Sequence, residues 1–322
     1  MTSDAGAAQQ TPILTLTLNP ALDMSTAVAD LIPDQKLRCS EPLLDPGGGG
    51  LNVSRAIAAL GGESLALVAL GGLTGDRLAG LIRAESVPFL VLTAPGETRQ
   101  SLTVTDRGTG RQYRFMLPGP VWSAADQDRV FLLLRASARP GAYGIISGSQ
   151  PPGVPADFPA RLARSMPGLR SVLDTSGPAL HEAVIHPIPG LAVLRMDGEE
   201  AEGLAGKPLT SRTDSADFAQ GLVHRGVAAR VIVARGADGN VMADARRRIF
   251  ARAAKVTVKS TVGAGDSFVA AFVLSLARGQ SDDQALAMAA AAASAAVTTD
   301  ATQLCRLQDV ERLLPDCVVS EV

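Results

Sequence analysis

The sequence predicts an α/β protein, with a mostly parallel central sheet covered by helices on both faces and a small β-sheet lid. Three observations predict it. Short β-like runs alternate with helical patterns along most of the 322 residues, the rhythm of parallel strands joined by crossover helices. Two stretches, 23–39 and 98–116, break that rhythm with extended, partly polar segments and no helix between. Finally, 46% of the residues are hydrophobic, which fits a globular chain able to bury a sizeable core.

In chain order, residues 13–18 (ILTLTL) alternate and read as the first strand. Four glycines, 47–50, precede a helical segment over 52–60. Residues 65–70, 144–147, 171–173, 191–194 and 230–234 read as strands, each followed by turn residues and then a helical pattern. The turn DRGTGR inside 98–116 predicts a hairpin. The lid is therefore expected over about 21–41 and 93–119, as two insertions into one domain spanning 12–316. Residues 1–11 read as a disordered tail and 317–322 as a C-terminal tail.

Composition excludes several function classes. A formal charge of −2 gives no general basic field, so nucleic acid is not an expected partner. Cys39, Cys305 and Cys317 form no close-spaced pair, which argues against a disulfide framework and favours a reducing cytoplasm. The N-terminal residues lack the pattern of a signal peptide. The Ala-rich run 285–297 reads as a tightly packed helix, well short of the roughly 20 residues that span a bilayer. No membrane association is expected.

The most informative stretch is 255–279, KVTVKSTVGAGDSFVAAFVLSLARG. Val256 and Val258 suggest a strand leading to Gly263, Ala264 and Gly265; a helix follows, with Phe268, Phe272 and Leu276 on one face and Gly279 closing it. A glycine turn opening a helix leaves backbone amides unpaired at the positive end of the helix dipole, a natural anion site. Asp266 at that turn can take a proton from an attacking hydroxyl, or it can simply cap the helix. Spacing alone leaves both open.

TVGAGDSFVAAF closely resembles the signature of the ribokinase-like sugar kinases, the phosphofructokinase B family. The resemblance extends in family order through TLNPALD (17–23), KLRC (36–39), PGGGGLNVSRAIAALGG (46–62), TRQ (98–100), QYRFMLPG (112–119), SGSQPPG (147–153) and LDTSG (173–177). It covers about residues 12 to 313. It implies a three-layer ribokinase-like sandwich, with Asp266 as catalytic base and Gly263, Ala264 and Gly265 as the anion hole. ATP and Mg2+ are implied, and so is a homodimer formed through the lid.

The remaining site residues follow from both lines. The glycines, Gly48 and Gly49 among them, suggest a backbone that must approach a ligand closely. Asn52 can donate to and accept from sugar hydroxyls, and Asp23 can accept from them. Ser149 is a further sugar contact. Arg99 offers a fork for phosphate oxygens; in the similar kinases this arginine binds the sugar phosphate, with Lys36 and Arg38 close by. These segments look most like the fructose 6-phosphate branch, with fructose 1-phosphate and tagatose 6-phosphate kinases as neighbours.

On the nucleotide side the chain departs from the family pattern. Arg195 replaces a lysine, and Asp197-Gly-Glu-Glu200 replaces N-x-x-E. Asp197 and Glu200 could face Mg2+ through water, although Asp followed three residues later by Glu is also a capping box. Gly236 and Gly239 resemble the turn beneath the nucleotide, with Ala234 and Arg235 in place of Ser and Leu. Ser260, Val262 and Thr299 fall where similar enzymes hold a monovalent cation such as K+, near a loop where Ala301 replaces a frequent Gly. His181, His186 and His224 sit in none of these motifs. The departures motivate one rival from another class, a sugar-phosphate-binding protein with low turnover.

Overall fold

The computed structural model describes residues 10–166, 168–299 and 303–322. The elements in chain order begin with β1 (Ile13–Thr17), β2 (Ala21–Val28), β3 (Leu43–Gly47), α1 (Gly49–Ala59), β4 (Leu65–Leu70), α2 (Gly72–Ala84) and β5 (Phe89–Thr93). Next come β6 (Arg99–Asp106), β7 (Gln112–Met116), α3 (Ala124–Ser137), β8 (Tyr143–Ser147), α4 (Phe158–Arg164), β9 (Arg170–Asp174), α5 (Gly177–Ile185), β10 (Val193–Met196) and α6 (Gly198–Ala205). The chain closes with α7 (Arg212–His224), β11 (Arg230–Ala234), β12 (Gly239–Ala243), β13 (Arg248–Arg252), α8 (Ala264–Ala277), α9 (Asp282–Ala296), α10 (Leu307–Leu313) and β14 (Val319–Glu321).

Ten strands form the central sheet in the order β14-β13-β12-β11-β10-β9-β8-β1-β4-β5. From β5 to β11 every neighbouring pair is parallel, and β12, β13 and β14 add an antiparallel edge. Strand periodicity builds the three layers. Ile13, Ile145, Val172, Val193 and Ile232 point to one face, against α1, α8, α9 and α10. Their neighbours Leu14, Ile146, Leu173, Leu194 and Val231 point to the other, against α3 to α7. The alanines of α9, including Ala289, Ala292 and Ala296, are fully buried, and their lack of bulk lets α8 and α9 pack side by side. The four-stranded lid has the order β3-β2-β6-β7.

Strand order reverses between β1 and β8, which are parallel neighbours. In such open sheets, the crevice beyond the carboxyl ends of the strands at that point is where ligands bind.

Several expectations are corrected. The strand 230–234 leads into the antiparallel β12 rather than a helix. No strand forms around Val256 and Val258: residues 253–263 lack regular structure, and Lys259 N donates to Val297 O at the end of α9. The lid draws its third strand from 43–47, beyond the expected 21–41. The expected C-terminal tail contains β14, whose pairing with β13 covers an otherwise open strand. Of the expected N-terminal tail, residues 1–9 lie outside the described residues. Thr11 N donates to Ala277 O at 2.8 Å, and the Gln10 side chain to Glu63 O.

Candidate active site

Helix starts differ in whether a side chain caps them, and α8 is among those without such a cap, as is α1 behind Gly48. The helices α3, α6, α7 and α9 each open with a reciprocal capping box, so side chains occupy their first amides. The N-cap of α8 is Gly263, in the left-handed region at φ 74° and with no side chain to cap with. The amides of Ala264, Gly265 and Asp266 stand in the first turn, where the helix supplies no acceptor.

Asp266 is thus the third residue of the helix, and it points to a partner elsewhere. Asn52 Nδ2 donates to its Oδ2 at 2.9 Å. Part of Asp266 remains accessible, yet burial of the carboxyl, reinforced by the nearby charge of Asp174, raises its pKa to about 7; Asn52, Arg195 and Arg55 oppose that rise. A carboxylate poised there is suited to accept and release a proton near neutrality.

Arg195 lies against the 263–265 turn. A β-carbon on Gly265 would stand 3.0 Å from its Nη1 and 3.2 Å from its Nη2, so a side chain there would push the guanidinium back by a few tenths of an ångström. Arg195 Nη1 donates to Asp174 Oδ1 at 3.1 Å, and its Nε is buried without a partner among the described residues. Burial works against its charge, but Asp174, then Asp266 and Glu200, outweigh it and hold the group above its ordinary value. Ser147 Oγ also donates to Asp174, at 3.1 Å.

The sugar-side residues gather at the ends of β1, β2, β6 and β8. Arg99 Nε donates to Asn19 O at 3.1 Å, and Asn19 Nδ2 to Ser149 Oγ at 3.1 Å. Burial lifts Asp23 to about 6, opposed by Ser101 and Arg99, and burial also lowers Arg99 from its ordinary value. The glycines serve close approach, but to the chain's own atoms. A β-carbon on Gly47 would fall 2.1 Å from Asp23 Oδ2, on Gly49 2.4 Å from Ser147 Oγ, and on Gly50 2.5 Å from Leu16 O. Gly48 has φ 122°. Lys36 and Arg38 are not brought in: both are exposed on the segment between β2 and β3.

The nucleotide-side residues are largely occupied by the protein. Asp197 Oδ1 accepts from Glu200 N, and Glu200 Oε2 from Asp197 N, both at 2.8 Å; burial raises Glu200. Gly236 and Gly239 bracket the β11–β12 turn with φ 57° and 136°. Beside them Arg235 is tied to Asp238, Leu209 O, Ser215 and Thr210 O. A cavity of about 670 Å³ opens between α5 and α6, lined by Gly177, His181 and Glu200 among others. Ser260 N donates to Val297 O, and Thr299 Oγ1 contacts the carbonyls of Ala296 and Gln303. Ser260 thus lies against the end of α9, shortly before Thr299, and the expected loop departure at Ala301 lies outside the described residues. No cluster of three His, Cys, Asp or Glu residues able to hold a metal occurs among the described residues.

Sequence reasoning assigned no role to Asp174, Asn19 or Arg55. A usable signal existed for Asp174: it ends β9, as Ser147 ends β8, and ligand groups collect at the carboxyl ends of parallel strands.

A carboxylate and a helix start whose first amides have no capping side chain, with a cation beside them, stand together at the switch point of an α/β sheet, an arrangement able to stabilise a phosphoryl group in transfer. Residues 17–309 match the pfkB family carbohydrate kinases, and the chain belongs to that family. It is 40% identical over 304 residues to an ATP-dependent 6-phosphofructokinase isozyme 2 of Mycobacterium tuberculosis, covering 93% of this chain and 88% of that protein. It is 38% identical to the isozyme 2 enzyme of Escherichia coli K12, covering 94% and 97%. Its fold superposes on the crystal structure of phosphofructokinase-2 from Escherichia coli in complex with potassium with a TM-score of 0.90 at 37% identity, covering 95% of this chain and 99% of that one.

Proposed function

We propose that the chain is an ATP-dependent 6-phosphofructokinase, which phosphorylates the C1 hydroxyl of fructose 6-phosphate to give fructose 1,6-bisphosphate. The observation that carries this reading is Asp266, a carboxylate with a pKa of about 7 at the uncapped start of α8. In the proposed reaction a bond forms between the sugar C1 oxygen and the γ-phosphorus, and the bond to the β–γ bridging oxygen breaks. Asp266 takes the hydroxyl proton, while the 263–265 turn and Arg195 receive the charge of the moving group.

The phosphate of the sugar falls to Arg99, and its hydroxyls to Asp23, Asn52 and Ser149. Thr17 Oγ1, Asn19 Oδ1 and Gln150 Oε1 are buried without protein partners among the described residues, which suits a polyhydroxylated ligand. Fructose 6-phosphate is bound by the similar Escherichia coli enzyme. A 1-phosphofructokinase at 29% identity and a D-tagatose-1-phosphate kinase at 31% are further relatives, so the sugar is the part of the reading most in need of test.

Asp197 and Glu200 each bring a second carboxylate oxygen beyond the one in the capping box, which would face Mg2+ through water; the metal when bound neutralises the nucleotide phosphates. Ser260, Val262 and Thr299 suit a monovalent cation, and potassium is bound by the similar Escherichia coli protein. We assign a homodimer through the lid because β7 is an edge strand exposing Tyr113, Phe115 and Met116. The inhibited form of the Escherichia coli enzyme is tetrameric. No helix among the described residues is long and apolar enough to cross a membrane. With three free cysteines, a cytoplasmic location fits.

ADP release coupled to a reporter, across fructose 6-phosphate, fructose 1-phosphate and tagatose 6-phosphate, tests the reading. The expected kcat/KM is highest for fructose 6-phosphate. Tight sugar-phosphate binding without ADP release from any of them would replace the kinase with a binding protein.

A further inference from the structure

Asn52 holds the Asp266 carboxylate, and Asn52 is itself held by a residue to which the proposed reaction gives no role. Arg55 lies one helical turn further along α1, and its side chain is only 8% exposed. Its guanidinium reaches three structures. Nε and Nη2 each donate at 2.6 Å to the two carboxylate oxygens of Glu85, just past the end of α2. Nη1 donates at 2.7 Å to the carbonyl of Pro46 in lid strand β3, and at 3.2 Å to Asn52 Oδ1.

Arginine donates hydrogen bonds and cannot accept them. Its contact therefore fixes which end of the Asn52 amide faces it. With the oxygen turned to Arg55, the nitrogen is left to donate to Asp266 Oδ2. A reversed amide would set donor against donor at Arg55, and oxygen against oxygen at Asp266. The same Nη1 grips β3 one residue before Gly47, which packs against Asp23. Glu85 holds the fork in plane from the far side, in the bidentate geometry that orients arginine most firmly.

We propose that Arg55 is a positioning residue that locks lid strand β3 and the amide of Asn52 in one arrangement, so that the lid and Asp266 are set together. This rests on the kinase reading of Asp266, and Arg55 touches no reacting atom itself.

The test compares Arg55→Lys, Glu85→Gln, Asn52→Ala and the Arg55→Lys/Asn52→Ala pair, using the sugar phosphate that the unaltered enzyme turns over fastest. Arg55→Lys keeps the charge but not the fork, and kcat is expected to fall about 10- to 100-fold, with KM for ATP changed less than about threefold. In the Asn52→Ala background the same change should cost at least about threefold less than it does alone, because the link to the Asn52 amide is already gone and only the hold on β3 remains. Multiplicative losses in the pair, or a loss confined to KM for ATP, overturn the proposal. If Arg55→Lys does not fold, Glu85→Gln stands in, with an expected kcat loss of about 3- to 10-fold and KM for ATP again nearly unchanged; unchanged kcat in a folded Glu85→Gln overturns it too. Absence of ADP release from the unaltered enzyme would sink the kinase reading and this proposal with it, whereas normal turnover with unchanged ratios among variants sinks this proposal alone.

Discussion

On the side of Asp266 proposed to take the sugar the backbone does the shaping, whereas on the side proposed to take the nucleotide charged side chains do, through ion pairs and a helix cap. Gly47, Gly49 and Gly50 press against Asp23, Ser147 and Leu16 so closely that any β-carbon would collide. Across the helix start, Arg195 is paired with Asp174, Arg235 with Asp238 and two backbone carbonyls, and Asp197 with the amide of Glu200. The difference explains where the chain keeps the family pattern and where it departs. A backbone contact tolerates no added atom, so PGGGGLN stands intact. An ion pair can be rebuilt with another side chain of the same charge, so Arg can stand for Lys, and a helix cap accepts Asp and Asn about equally, so Asp can stand for Asn.

Asp266 lies on the boundary between the two regions, and its removal should have the largest effect. Asp266→Asn is expected to lower kcat by about 10²- to 10⁴-fold, with the circular dichroism spectrum unchanged; near-normal ADP release would take the base role away from it. The pH dependence follows from the pKa raised from 3.8 to about 7. The ionised form does the work, so kcat/KM should rise with pH up to about 7 and then level off. Stability runs the opposite way. A folded pKa above the unfolded one gives stability that is complete below 3.8 and lost as pH rises through about 7. Asp266→Asn should therefore gain most in melting temperature, relative to the unaltered protein, at pH 8.

Much of the fold was legible because strand and helix periods are local. The strands 65–70 and 230–234 have the bounds their patterns predict. The alternation at Val256 and Val258 misled because a strand also needs a free neighbour. Since β13 already lies between β12 and β14, the segment turns to the end of α9, and Val258 is exposed. In the site, the glycine turn with Asp266 marks a carboxylate at a helix start within a few residues, while the base role proposed for it came from the resemblance. Asp174 and Arg55 carry no such local mark. Their meaning lies in contacts with Arg195, 21 residues on, and Glu85, 30 residues on, and no spacing rule joins such pairs. Lys36 and Arg38 entered only through the resemblance, and the segment carrying them lies exposed beyond β2, away from the residues gathered around Asp266.

A smaller effect sharpens the claim that ion pairs on the nucleotide side can be exchanged. Arg195→Lys restores the residue usual in the family but offers no fork to span Asp174 and the face of Gly265. Losing one charge-assisted hydrogen bond is expected to cost on the order of tenfold in kcat/KM for ATP. Equal or better turnover with lysine would show that only the charge of Arg195 matters, and that its planar contact with Gly265 is incidental.

The smallest effect separates two roles for Asp197. Its Oδ1 caps α6 through Glu200 N, and asparagine caps about as well as aspartate, while alanine does not. Asp197→Ala should therefore lose about 1 kcal/mol, a fall of about 2 °C in melting temperature, while Asp197→Asn stays near the unaltered value. The Mg2+ concentration giving half-maximal ADP release then reads the other role. If the free oxygen of Asp197 faces the metal through water, Asp197→Asn raises that concentration although stability is unchanged. If the carboxylate only caps, both variants need the same Mg2+ as the unaltered enzyme, and the departure from asparagine at this position is a matter of helix stability alone.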